Sequence, residues 1–186
     1  NVVRTKEPGG TAVGQEIRSV IFPPNQTDYN GSKHMAPGVV DLLFLASHIH
    51  NYRTVVEPAL DAGKIVVCDR WYHSQAAYQE MRDVPQGVKN LYLTTVSMER
   101  QPDSTIFITG NPDMFLSRAR SRRTESHQDT KAWADFETMR EVQHHYFRLF
   151  KGTPGTRFLI NDPDTTVEQL FEKVKLLLAA DMMGAV

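Results

Sequence analysis

Short runs of β-branched and aromatic residues alternate along the chain with longer stretches in which apolar side chains recur every three or four positions. The short runs are Val2-Val3, Ile65-Val66-Val67-Cys68, Thr105-Ile106-Phe107-Ile108 and Arg157-Phe158-Leu159-Ile160. Their length and composition fit strands. Between them the pattern predicts helices over 12–22, 36–62, 74–81, 86–99, from 112 through 118 toward 123, 131–150 and 165–178. The boundaries carry their own signals. Pro23-Pro24 closes the first helix, because proline lacks the N–H that would continue the ladder, and Pro58 bends or breaks the second before Gly63 stops it. Asn111-Pro112 reads as an N-cap with proline at the first helical position. Thr165 and Glu168 fit a capping box. The polar stretches 25–34 and 124–130 read as loops.

Strands separated by helices predict a parallel sheet with helices on both faces: one open, doubly wound α/β domain of three layers spanning 1–186. Ile65-Val66-Val67-Cys68 is expected to be buried on both faces. In such folds ligands bind beyond the carboxyl ends of the strands, so the residues just after each strand are the ones to inspect.

Composition narrows the function classes. A formal net charge of −1 over 186 residues excludes a broad electrostatic grip on nucleic acid or an anionic membrane, while leaving nucleotide binding open. No apolar run approaches the roughly 20 residues that span a bilayer. A lone cysteine, Cys68, forms no internal disulfide and fits a reducing compartment such as the cytoplasm. The seven histidines show no zinc spacing with cysteine, and no structural metal is expected.

Four constellations carry candidate chemistry. Lys6-Glu7-Pro8-Gly9-Gly10-Thr11 follows the first strand; its glycines permit a tight turn whose N–H groups approach a ligand closely, and a plain strand-to-helix turn would look the same. The isomer of the Glu7–Pro8 bond is left open by the sequence. Asp69-Arg70 ends the next strand, where a carboxylate can order Mg²⁺ and a guanidinium can grip a phosphate, or the two can form a structural ion pair. Ser74, Gln75 and Tyr78 follow on a helix and offer polar groups to a base or sugar, or serve as caps and packing. Arg118, Arg120, Arg122 and Arg123 precede a polar loop; they can close over phosphates as a lid at about 118–130, or complement a helix dipole. Phe44 and His48, four apart, share a helix face and can sandwich a base, although a phenylalanine there is also ordinary core.

Taken in order, these segments resemble the thymidylate kinase family from Thr5 to about Leu178. The Arg-Glu-Pro-Gly-Gly-Thr turn of that family is matched with Lys6 for arginine, Pro58-Ala59-Leu60 and Gly63 match its helix end, and Asp69-Arg70-Trp71 with Ser74 and Ala77-Tyr78-Gln79 match its second strand end. The resemblance implies a nucleoside monophosphate kinase that transfers the γ-phosphoryl of ATP to dTMP, giving dTDP, with Mg²⁺. It implies that Phe44 stacks on thymine with Ser74 and Gln75 near its edge. Arg70 grips the acceptor phosphate, Glu7 and Pro8 shape the pocket, and Tyr78 packs on the deoxyribose. Asp69 helps organise Mg²⁺, and the lid arginines neutralise the transferred phosphoryl, Arg118 and Arg122 toward ATP. It also implies a homodimer packed through a helix that includes 39–53.

Two departures modify these expectations. His48 stands where the family has arginine, which predicts a base contact that titrates near neutrality and a broader pyrimidine preference. No Gly-x-x-x-x-Gly-Lys-Ser/Thr loop occurs in the 186 residues. The resemblance places that loop and a central strand upstream of Val2, so the sequence predicts an N-terminally shortened domain, a gap of about 10 Å between the strands at 65–68 and 105–108, and weak turnover. The alternatives are a deoxynucleoside kinase, which takes an unphosphorylated sugar, and a non-catalytic nucleotide-binding protein.

Overall fold

The computed structural model describes residues 1–23, 35–36, 38–121 and 136–183. The described residues fall into two compact units, one formed by Asn1–Arg100 and the other by the chain from Gln101 onward.

In the first unit β1 (Val2–Lys6) pairs in parallel with β2 (Ile65–Asp69), with Val2 opposite Ile65 and Lys6 opposite Asp69. A parallel pair needs a long crossover, and here it is helical. The chain leaves β1 through the Glu7–Gly10 turn into α1 (Ala12–Ile21) and α2 (Val39–Asn51). Thr11 is the N-cap of α1, its hydroxyl accepting from the Gly14 N–H at 2.9 Å. One π-helical turn (Tyr52–Val56) follows α2 and leads into α3 (Glu57–Asp61), with the Glu57 N–H bonding back to the Tyr52 carbonyl. Proline is present at the head of α3 as Pro58, whose missing N–H accounts for the expected break; the chain widens by one residue there instead of stopping. After β2 come α4 (Tyr72–Gln79) and α5 (Gln86–Ser97).

In the second unit β3 (Thr105–Thr109) pairs in parallel with β4 (Thr156–Ile160). Between them run α6 (Pro112–Ser121) and α7 (Phe136–Phe150), and α8 (Val167–Met183) follows β4. The Asn111 cap is present, its Oδ1 accepting from the Asp113 N–H at 2.8 Å. The capping box sits one residue later than the sequence suggests. Thr166 Oγ1 accepts from the Gln169 N–H at 3.2 Å, and Gln169 Oε1 accepts from the Thr166 N–H at 2.9 Å. Phe107 anchors this unit, with the rings of Tyr146, Phe150 and Phe158 within 5.0–5.6 Å.

The strands are parallel and helix-connected as expected, yet the described residues hold them as two separate two-stranded sheets. The expectation that β2 is buried on both faces fails. Val66 and Cys68 are half-buried, while Ile65 and Val67, on the opposite face, are 62% and 54% exposed. A continuous apolar run reports propensity for a covered strand, whereas coverage itself depends on what packs above it.

α2 is central to the first unit. One face buries Val40, Leu45 and Tyr52, and Leu45 packs with Tyr92 and Val96 of α5. The same face buries Asp41, Ser47, His48 and Asn51. Polar side chains in a core must find partners, and those partners define the site.

Candidate acceptor-nucleotide site

Parallel pairing brings the ends of β1 and β2 side by side, and the Glu7 N–H donates to the Asp69 carbonyl at 3.0 Å. Beyond this bond the two strands turn away in different ways. After β1 the Glu7–Pro8 peptide is cis and Gly9 has φ +100°, a conformation that L side chains rarely adopt. Gly10 lies so close to the Lys6 carbonyl that a Cβ would sit 2.7 Å from its oxygen, with Thr5 and Asn51 also in the way. Gln15 Nε2 closes the turn on the Gly9 carbonyl at 2.6 Å.

After β2, Arg70 has φ +68°, alone among the described non-glycine residues in a positive-φ conformation. A left-handed arginine costs on the order of 1 kcal/mol or more, and such positions concentrate where a side chain must be aimed. Its Nη1 donates to the Tyr78 hydroxyl at 3.4 Å, and its guanidinium lies 5.9 Å from the Tyr78 ring centroid. Arg70 is exposed, as is Asp69, so both face solvent at the strand end. Cys68 donates its thiol to the Arg70 carbonyl at 2.8 Å, and burial pushes that thiol well above its ordinary pKa, so it is no nucleophile near neutral pH.

His48 departs most from the sequence reading. It is 1% exposed. Its Nδ1 lies 2.9 Å from one oxygen of Glu7, and its Nε2 lies 2.7 Å from Glu99. Burial is the largest single influence and opposes its charge, but the hydrogen bonds and negative charges of Glu7 and Glu99 outweigh it and raise the pKa to about 9. The histidine is therefore an imidazolium through neutral pH, and the expected titration near neutrality is corrected. With both ring nitrogens engaged, it has nothing to offer a base. Asn51 Nδ2 donates a 3.3 Å bond to Glu7, and Asn51 Oδ1 accepts from the Thr5 hydroxyl at 2.6 Å. The Trp71 ring packs 4.5 Å from the imidazole.

Phe44 is half-buried, edge-on to Phe22 at 6.3 Å, with the Arg82 guanidinium carbon 6.0 Å from its ring centroid. Arg82 is held by Asp41 at 2.7 Å, and Asp41, 2% exposed, also accepts from the Gln75 amide. Ser74 is half-buried at the start of α4, its N–H bonded to the Trp71 carbonyl at 2.9 Å. Burial lowers the pKa of its neighbour His73 to about 4, keeping that ring neutral.

Glu7, Pro8, Phe44, His48, Asp69, Arg70, Ser74, Gln75 and Tyr78 thus all lie in the first unit. Arg118 is in the second, with a 3.3 Å bond from Nη2 to the Pro163 carbonyl. Arg120 is on α6, while Arg122, Arg123 and the rest of the expected lid lie outside the described residues. Sequence reading missed Asp41, Arg82 and Glu99, and took Trp71 only as part of the strand-end motif. The spacing of Asp41, Leu45 and His48 along α2 could have revealed that Asp41 and His48 point inward with the core. Glu99, beyond the end of α5, carried no such signal.

Among the described residues no group of three His, Cys, Asp or Glu side chains could hold a metal ion. Magnesium commonly takes one or two carboxylates and completes its shell with water and substrate phosphates. A single exposed Asp69 at a strand end fits that manner of binding.

Parallel strands joined by helices, with an arginine and a glycine-rich turn at their carboxyl ends, define an α/β protein of the nucleoside monophosphate kinase type. Comparison with known proteins agrees. The family model described as thymidylate kinase matches residues 1–174. A thymidylate kinase of Methylococcus capsulatus is 32% identical over 164 residues, 88% of this chain and 73% of that protein. One from Caldicellulosiruptor saccharolyticus is 32% identical over 184 residues, 95% of this chain and 81% of its own length. The crystal structure of the Ehrlichia chaffeensis thymidylate kinase shares the fold with a TM-score of 0.63 at 22% identity, over 95% of this chain and 81% of that one. The chain belongs to the thymidylate kinase family.

Proposed function

We propose that this protein binds dTMP as phosphoryl acceptor and that the reaction is transfer of the γ-phosphoryl of ATP to give dTDP, in the cytoplasm, by a homodimer. The observation that carries the reading is Arg70. A left-handed arginine is aimed from the end of β2 beside Tyr78, next to the Pro8 turn, in the same unit as an aromatic ring suited to stacking.

The acceptor phosphate is held by the Arg70 guanidinium in a charge-assisted, two-point contact. Tyr78, which shares that guanidinium, packs on the deoxyribose and leaves little space for a 2′-hydroxyl. Pro8 closes the opposite wall. Phe44 stacks on thymine. Gln75, whose amide nitrogen is spent on Asp41, turns its carbonyl oxygen toward the thymine N3–H, with Ser74 alongside. A phosphate oxygen so positioned attacks the γ-phosphorus in line, as the bond from that phosphorus to the bridging oxygen breaks and ADP leaves. Such reactions depend on positioning and charge neutralisation, and the Arg70 guanidinium supplies both to the acceptor phosphate. Mg²⁺, when bound through Asp69 and the nucleotide phosphates, supplies further neutralisation.

What supports a dimer is a pattern along α2 and into the π-helical turn that follows it. Val39, Leu42, Ala46, Ile49 and Arg53 are all exposed and recur at alternating steps of three and four. That is the seam spacing of two packed helices.

Calorimetric titration tests the acceptor site directly. dTMP should bind at least 30-fold more tightly than thymidine, since only dTMP offers Arg70 a phosphate. Equal affinities would favour a deoxynucleoside kinase, and dCMP binding as tightly as dTMP would remove Phe44 and Gln75 from base recognition.

A further inference from the structure

The trio Glu7, His48 and Glu99 joins three separate parts of the first unit: the turn after β1, the middle of α2 and the end of α5. A carboxylate only accepts hydrogen bonds, so a ring flanked by carboxylates on both nitrogens must donate from both. His48, with the carboxyl groups of Glu7 at 2.9 Å and Glu99 at 2.7 Å, is placed to donate to both when they are ionised. The side chains of all three are at least 89% buried.

The position of this cation relates it to ligand binding. Glu7 precedes Pro8 directly, and its N–H is bonded to Asp69 beside Arg70. Trp71, which follows Arg70 directly, packs its ring 4.5 Å from the imidazole and 6.3 Å from Tyr52. His48 therefore touches the immediate neighbours of two residues expected to meet the acceptor: Pro8 through Glu7, and Arg70 through Trp71. Without the cation, two carboxylates would face each other across a buried ring. Each would seek water or a new partner, and the Glu7 turn, the one nearer the surface, would be the part to move.

We propose that His48, with Glu99 as its counter-charge, is a positioning residue for the acceptor site, setting the Glu7–Pro8 turn and the Arg70–Trp71 corner in mutual register. It touches no substrate; it acts through Glu7 and Trp71. The inference rests on the reading of Arg70 and Pro8 as acceptor-binding residues. The titratable groups facing the ring are Glu7 from the β1 turn, Glu99 from beyond α5, and Tyr92 of α5, whose ring lies 6.0 Å away and whose phenol burial holds neutral.

The test uses the full chain and two measurements. In histidine-¹⁵N-labelled protein at pH 7.5, His48 should show two protonated ring nitrogens. A neutral ring overturns the proposal whatever the variants do. Glu99→Gln keeps the shape and an acceptor oxygen but removes the charge. It should weaken dTMP binding at pH 7.5 at least fivefold and move the alkaline loss of affinity at least one pH unit lower than in the parent, with near-UV circular dichroism showing both proteins folded. An E99Q that binds dTMP within twofold of the parent, with the same pH profile, overturns the positioning role alone. A parent that binds no dTMP overturns the acceptor-site reading and this inference together. Should E99Q not fold, the parent decides: dTMP affinity that stays flat up to pH 10 in the folded protein rejects the role.

Discussion

Nε2 of His48 lies 2.7 Å from Oε2 of Glu99, across 51 positions of sequence, and the contact is inaccessible to solvent. A buried carboxylate–imidazolium contact ties stability to pH with a definite sign. The folded pKa of about 9 is above the ordinary 6.5, so the stabilisation is complete below pH 6.5 and is lost as pH rises through 9. Its size is on the order of 3 kcal/mol. His73 acts oppositely: its pKa of about 4 means that stability falls as pH drops from 6.5 toward 4, because the unfolded chain takes the proton first. Urea denaturation across pH 4–9.5 should therefore peak near pH 6.5. Substituting His73→Gln should flatten the acid limb and His48→Gln the alkaline one.

Arg70 opposes binding to backbone ease. Arg70→Gly should weaken dTMP binding at least tenfold, because a charge-assisted phosphate contact is lost. The melting temperature should not fall, since glycine takes a φ of +68° without penalty. A clear fall in melting temperature would remove the case for a strained, aimed side chain.

Arg82→Ala should destabilise the fold by about 1–3 kcal/mol, measured by chemical denaturation. It leaves Asp41, 2% exposed, with the Gln75 amide and no countercharge. Arg82→Ala combined with Asp41→Asn should recover part of the loss, since the uncompensated charge is gone.

Two glycines should respond in opposite directions. A Cβ on Gly10 collides with Thr5, the Lys6 carbonyl and Asn51, so Gly10→Ala should cost stability and acceptor binding together. Gly87, in the first turn of α5, has nothing within 4 Å of such a Cβ, and Gly87→Ala should raise stability by roughly 0.4–1 kcal/mol.

Sedimentation velocity should find a dimer in the parent chain, and Leu42→Glu with Ile49→Glu should convert it to a monomer. Both residues are exposed in one chain, at 43% and 38%, so the substitutions leave the folded protomer intact. A parent that sediments as a monomer would show that the α2 seam has another use.

Much was legible in the sequence because it is set locally. Strand runs at Ile65 and Thr105, the Asn111 cap and the Pro8-Gly9-Gly10 turn each follow from the conformational limits of a few adjacent residues, and all are present. Arg70 and Tyr78 were legible as parts of one segment, and the structure adds their contact, from just past β2 to the last turn of α4. What only tertiary structure decided is how side chains distant in sequence share a buried space. His48 reads as a base-facing ring when α2 is taken alone, and becomes an imidazolium because Glu7 and Glu99 arrive from elsewhere. The same holds for β2, whose apolar run promises burial while Ile65 and Val67 are exposed. Backbone conformation is a property of neighbours along the chain; burial and charge state depend on neighbours in space, which no local pattern lists.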